Sequence, residues 1–226
     1  MSADRLGPSG LYRLMSWLSP AFPIGAFSHS HGLEWAVHDG TVRDAATCRA
    51  WIAGILNHGA GWQEGVLLAA AWRTARAGER EELEEIDALA LALAPSHERR
   101  IETTSQGAAF ERTACDAWGT GPGEAVGERA YAVAVAAAAA RHGVPLEATL
   151  LAYLHAVASN LVSAAIRLVP LGQTDGQLVV AALEAEISAL AERAARSTLD
   201  DLGGFGFRAD IASMKHEEQH VRLFRT

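Results

Sequence analysis

The chain has 226 residues, 50% of them hydrophobic and 20% charged, which is enough for one sizeable core, and no Pro/Gly/Ser-rich linker divides it. A formal net charge of −8 argues against a nucleic-acid footprint, which needs clustered Lys and Arg. Lys215 is the only lysine, so no Walker-type phosphate loop exists and any nucleotide chemistry must come from a partner.

Hydrophobic periodicity then predicts helices almost throughout. Residues 1–10 read as a flexible N-terminus, after which Leu11, Leu14, Met15 and Leu18 give a first helix with one apolar face, stopped by Pro20. Asp44 is placed to cap a helix carrying Cys48, Trp51, Ile52, Ile55 and Leu56 on one side. Gly65 to Ala77 and Glu81 to Leu93 are two further helices parted by Gly78, and the acidic residues Glu81, Glu82, Glu84, Glu85 and Asp87 fit a solvated helix start. Ser96 is an expected N-cap for a helix ending near Trp118, followed by a turn over Gly119 to Gly123. An alanine-rich helix covers Tyr131 to Ala140. Leu146 to Leu168 and Gln177 to Arg196 complete the set, joined by a turn around Pro170, Gly172 and Gly176. No stretch alternates convincingly, so the expected fold is all-α: a single-domain helical bundle of roughly eight to ten helices with a flexible C-terminal tail over residues 199–226. Cys48 and Cys115 are too few for a disulfide framework and read as small buried residues. With neither a signal peptide nor an uncharged run long enough to span a bilayer, the expectation is a cytoplasmic chain with no membrane partner.

Ser19 to Trp35, SPAFPIGAFSHSHGLEW, is too constrained in residue type to be an ordinary connector. Pro20 and Pro23 fix φ, Gly25 permits a backbone geometry or a close approach that a side chain would block, and Phe22, Ile24 and Phe27 demand cover, either as a turn pinned into this chain's own core or against another chain. His29 and His31 read as surface or capping histidines, because an H-x-H pair shares one side only in an extended strand.

His216, Glu217 and His220 spell H-E-x-x-H, which on a helix would offer two imidazoles to zinc and a glutamate as general base, the signature of a zinc-dependent hydrolase. That alternative needs a third ligand and a walled pocket, which a segment with only six residues after His220 is poorly placed to supply. In SNLVSAAIRLVPLGQTDGQ, residues Asn160, Arg167, Gln173, Asp175 and Gln177 bring donors and acceptors to a helix end and its turn, where they need partners; Thr174 or Asp175 is a candidate cap for the last long helix. The tail is flexible at GGFGF yet rich in Phe205, Phe207, Ile211, Met214, Val221, Leu223 and Phe224, a pattern expected to order on a partner. The loop residues Pro23, Gly25, Phe27, Ser28, Ser30 and Gly32, together with Asn160, Gln173, Asp175, Gln177 and Phe224, are candidate partner-binding residues, with packing inside the chain as the alternative.

SPAFPIGAFSHSHGLEW resembles the N-terminal signature of the urease accessory protein F (UreF) family, whose usual pattern is close to SPALPVGAFSYSQGLEW. SNLVSAAIRLVPLGQTDGQ and ASMKHEEQHVRLFRT resemble two further stretches of the same family, in the same order; the family more often has Tyr where His220 stands. The resemblance implies a helical, dimeric, non-enzymatic scaffold without a cofactor. It would bind the accessory protein UreD (also called UreH) and the GTPase UreG and, through the complex, deliver nickel to apo-urease. By position in the matching motifs it assigns partner contacts to Glu34, Lys215, His216, Arg222 and Leu223, and a dimer contact to Leu151 and His155. An unrelated helical adaptor is the third class to be distinguished.

Overall fold

A computed structural model describes residues 5–119 and 129–226, and every regular element among them is helical. The α-helices are α1 (Pro8–Trp17), α2 (Leu33–His38), α3 (Ala45–His58), α4 (Ala60–Ala77), α5 (Arg80–Ala92), α6 (His97–Trp118), α7 (Tyr131–Arg141), α8 (Leu146–Leu168), α9 (Gln173–Ala195) and α10 (Phe207–His216), with 3-10 turns at Ala26–Ser28 and Leu199–Asp201.

The bundle is built around α7, whose residues from Tyr131 to Ala140 are all buried. Alanine favours the helix and keeps its radius small, so α4, α6 and α8 close on it from different sides. Gly107 of α6 allows the chain entering α7 to cross at backbone contact, since a Cβ there would stand 1.8 Å from the Arg129 carbonyl oxygen. Asp87 accepts the Ala130 N–H at 2.8 Å and pins α5 to the start of α7, a structural duty in place of the solvated one expected. α8 is long and apolar enough to cross a bilayer by length and composition, but most of it is buried in the bundle, against α9, α4, α3 and α7.

Several boundaries differ from expectation. Residues 8–10 belong to α1, which buries Leu14 and Trp17 while Leu11 and Met15 stay exposed, so half of the predicted apolar face is outside. α4 starts at Ala60, five residues before the expected Gly65, and Gly61 in its first turn is a contact glycine: a Cβ there would meet Leu56 Cα at 2.6 Å. α9 starts at Gln173, since Gly176 lies inside the helix, tucked against Ile166 of α8, with 2.4 Å between a Cβ there and Ile166 Cδ1. Asp175 consequently sits in the first turn and accepts the Gly172 N–H at 2.9 Å, so it is not an N-cap. The caps at Asp44 and Ser96 are as expected, each accepting the N–H three residues on. Cys48 is buried and Cys115 partly so. Beyond Gly119, the turn expected through Gly123 lies outside the described residues.

The tail departs most from the sequence reading. Instead of a flexible segment, residues 207–216 form α10 against α2 and α6, and the chain beyond returns to bury Phe224 and Thr226 in the body.

Candidate partner-binding site

The loop after α1 is a plug. Phe22 and Ile24 are buried, and Phe22 packs on Phe110 and Trp118 of α6, which also receive Trp17 edge-on. Gly25 adopts φ +74° with open space where its Cβ would be, so its backbone geometry, and not a close approach, requires glycine. Gly32 needs both: φ is +74°, and a Cβ would lie 2.5 Å from the Ser213 nitrogen of α10. Pro23 and Phe27 are exposed, Ser28 closes the turn by donating to the Gly25 carbonyl at 2.8 Å, and Ser30 is buried.

Onto this loop the tail docks through ionic and backbone bonds. Glu34, at the start of α2, accepts the backbone N–H groups of Leu223 at 2.6 Å and Phe224 at 2.9 Å. His216 is fully buried between two carboxylates, Nδ1 lying 2.7 Å from Glu98 Oε2 and Nε2 3.1 Å from Glu34 Oε2. With both carboxylates ionised, both contacts are hydrogen bonds only when each ring nitrogen carries hydrogen. Arg222 reaches the other Glu98 oxygen at 2.6 Å. Glu217 accepts the N–H groups of His97 at 2.9 Å and Glu98 at 3.3 Å, so the tail helps cap α6 where the helix dipole favours a carboxylate.

A second layer fixes the last residues. Ser30 N–H and Oγ–H both donate to the Thr226 carbonyl, at 2.7 and 2.8 Å, and Arg225 N–H donates to the Ser28 carbonyl at 2.8 Å. The Thr226 hydroxyl bridges His29 Nδ1 and Glu102 Oε2, at 2.8 Å each. Glu102 also holds His31 Nε2 and Arg99, each at 2.6 Å, and Arg99 continues to Glu64 and thence to the Tyr153 hydroxyl. Burial alone would raise the Glu102 carboxyl, but Arg99 and then His31 outweigh it and hold it well below the usual carboxylate range. Burial, opposed by the Glu102 charge, lowers His29 below its ordinary value. His29 is buried and His31, at φ +53°, is engaged by Glu102, which corrects the expectation of surface histidines.

Arg167 joins all three motif stretches. From the end of α8 it donates to the Phe27 carbonyl at 2.6 Å and lies over the Phe224 ring, 4.3 Å from its centroid. Asn160 borders a small polar cavity of about 20 Å³ beside Arg99 and Glu102, room for about one water. Gln173 and Gln177 are exposed and line a separate shallow groove with His155 and Arg167; Leu151 is also exposed, one helical turn from His155 on α8.

Of the sequence-predicted residues, Pro23, Phe27, Gln173, Asp175, Gln177, Lys215, Arg222 and Leu223 are exposed, whereas Ser30, Gly32, Glu34, His216 and Phe224 are buried. In this arrangement the buried group binds the chain's own segments together and offers no surface to a second protein. Glu98, Arg99 and Glu102 went unnamed in the sequence reading. Their signal was a polar stripe, Glu98, Glu102 and Gln106, at helical spacing on a helix that otherwise packs in the core.

The H-E-x-x-H string lacks the register zinc chemistry needs. α10 ends at His216, so His220 is not one helical turn further on the same face; His216 and Glu217 are engaged as above, and His220 is exposed.

The UreF family model matches residues 42–184. Urease accessory protein UreF of Rhodopseudomonas palustris strain HaA2 is 55% identical over 223 residues, covering 96% of this chain and 94% of the relative. The protein of the same name from Bradyrhizobium diazoefficiens is 52% identical, over 96% of this chain and 92% of its own length. This chain belongs to the UreF family.

Proposed function

We propose that the protein is a non-enzymatic accessory factor of urease maturation, a cytoplasmic homodimer that holds the GTPase UreG and the accessory protein UreD (UreH) together on apo-urease while nickel is inserted. The observation that carries this reading is the identity, over nearly the whole chain, to proteins named urease accessory protein UreF. Nickel is cargo in this account, and GTP belongs to the partner, in keeping with a single lysine and no Walker-type loop.

The scaffold role draws support from the way the tail is used. α10 binds the body through small and polar residues, Ala212, Ser213 and His216, and leaves Ile211 and Met214 exposed; beyond it Phe224 is buried while Val221 and Leu223 stay outside. A helix that turns its larger apolar side chains outward is suited to receiving another protein. In the proposal Lys215, Arg222 and Leu223 meet UreD or UreG directly, along with Phe27 and Pro23 of the loop; Glu34, His216 and Phe224 act by setting the tail in place. Gln173, Asp175, Gln177 and Asn160 border a second contact area, and Leu151 and His155 face the second copy.

Co-expression with UreD and UreG, followed by affinity purification of the tagged chain, tests the reading. Both should be retained in stoichiometric amounts, and Leu223→Asp should lose at least one of them while the helical circular dichroism is kept. Purification of the wild-type chain free of both partners would overturn it.

A further inference from the structure

We propose that the groove between α3 and residues 205–209 is a docking site for an acidic, partly apolar peptide segment of a partner protein. The inference stands whether or not that partner belongs to urease maturation. The groove has a volume of about 470 Å³, and its lining includes Ala50, Trp51 and Gly54 of α3 together with Phe205 and Phe207. A Cβ on Gly54 would meet nothing within 4 Å, so there is space above the helix at that position. Phe205 and Phe207 are 82% and 58% exposed, and their rings stack on each other with centroids 5.8 Å apart. Their position is built: Gly204 and Gly206 lie flush on the junction of α3 and α4, where added Cβ atoms would stand 2.6 Å from the His58 carbonyl oxygen and 2.7 Å from Gly59 Cα. An aromatic pair held this way at a groove edge leaves apolar surface in water that a bound segment would cover.

The charge of the lining defines the occupant. Among the described residues the lining includes Arg43, Arg208 and His58 and no Asp or Glu, with the Asp210 carboxylate behind Gly206, 3.6 Å from where a Cβ there would stand, in a chain whose net charge is −8. Arg43 comes no nearer than 3.9 Å to Asp44, and Arg208 forms no ion pair among the described residues. Charge complementarity therefore selects a segment with Asp or Glu flanking an aromatic or leucine side chain.

The test is a phage-displayed library of random peptides about a dozen residues long, panned on the full chain, with the enriched peptides measured by fluorescence polarisation. The expected result is enrichment of peptides that combine acidic residues with an aromatic or leucine anchor. Their affinity should fall about tenfold or more both in Gly54→Trp, which fills the groove, and in the exposed double variant Arg43→Glu with Arg208→Glu. Three results would each overturn the proposal: no enrichment; enrichment without an acidic excess; or binding unchanged in both variants. Sedimentation of Gly54→Trp as a smaller oligomer than wild type would overturn it too, by making the groove a contact between copies.

Discussion

His216 is the residue on which the docking of the tail turns, because it is buried and each ring nitrogen meets a carboxylate from a different helix. Removing one member of a buried ionic group leaves the others desolvated and unpaired, which costs about 3–5 kcal/mol. Glu34→Ala, which strips His216 and the Leu223 and Phe224 N–H groups of an acceptor, should therefore lower the thermal midpoint by many degrees and admit protease at the tail first. An unchanged midpoint and an unchanged cleavage pattern would remove this cluster from the account. Acid acts on the same region. His29 titrates from an ordinary value of about 6.5 and is depressed by burial, so its neutral form stabilises the fold above that pH and the contribution is lost as the pH falls through the depressed value. Glu102, depressed well below its ordinary value of about 4.5, stabilises above that pH and loses its contribution further down. Denaturant midpoints followed from pH 7 downward should fall in two stages, and His29→Asn should flatten the upper one alone.

At the scale of elements, close approach decides the packing. Gly176→Val would drive a side chain into Ile166 and separate α8 from α9; overpacking of this kind costs about 1–3 kcal/mol, measurable by urea unfolding. The same glycine shows why part of the fold was illegible: Gly176 reads as part of a turn, and whether a glycine ends a helix or lets a neighbour in depends on the helix packed against it, here Ile166 of α8. Where the signal was local, the reading was good. Asp44 and Ser96 cap where expected, α8 runs over the span its apolar pattern marks, and Pro145 precedes it. The site was legible as segments and not as a whole. Glu34 and His216 stand out in their motifs, yet their pairing links positions 182 residues apart, and Glu98 and Glu102 lie on a helix that carries none of the motifs. Docking of the tail also alters what a truncation does. Deleting Val221 to Thr226 uncovers Glu34, Glu98 and Glu102 and removes Phe224 from the core, so the body should lose stability together with partner binding. Retention of the wild-type midpoint in that deletion would mean that the tail is not held as described.

Across the whole molecule, the motif stretches form one structure: the loop plugs the bundle, the tail closes over the loop, and Arg167 ties both to the end of α8. The proposed role rests on identity to the named relatives, and a tail whose apolar side faces solvent suits it. Variants that loosen the tail and variants that change only its outer surface should then fail in different ways. Glu34→Ala should lose stability and urease activation together; Leu223→Asp should lose activation with the midpoint intact. The most direct measurement is the nickel content of urease purified from cells whose own UreF gene has been replaced by this chain. Nickel-loaded, active urease with the wild-type chain, and nickel-poor urease with Leu223→Asp at equal chain abundance, is the predicted result; urease equally empty with the wild-type chain, or equally loaded with the variant, would contradict the account.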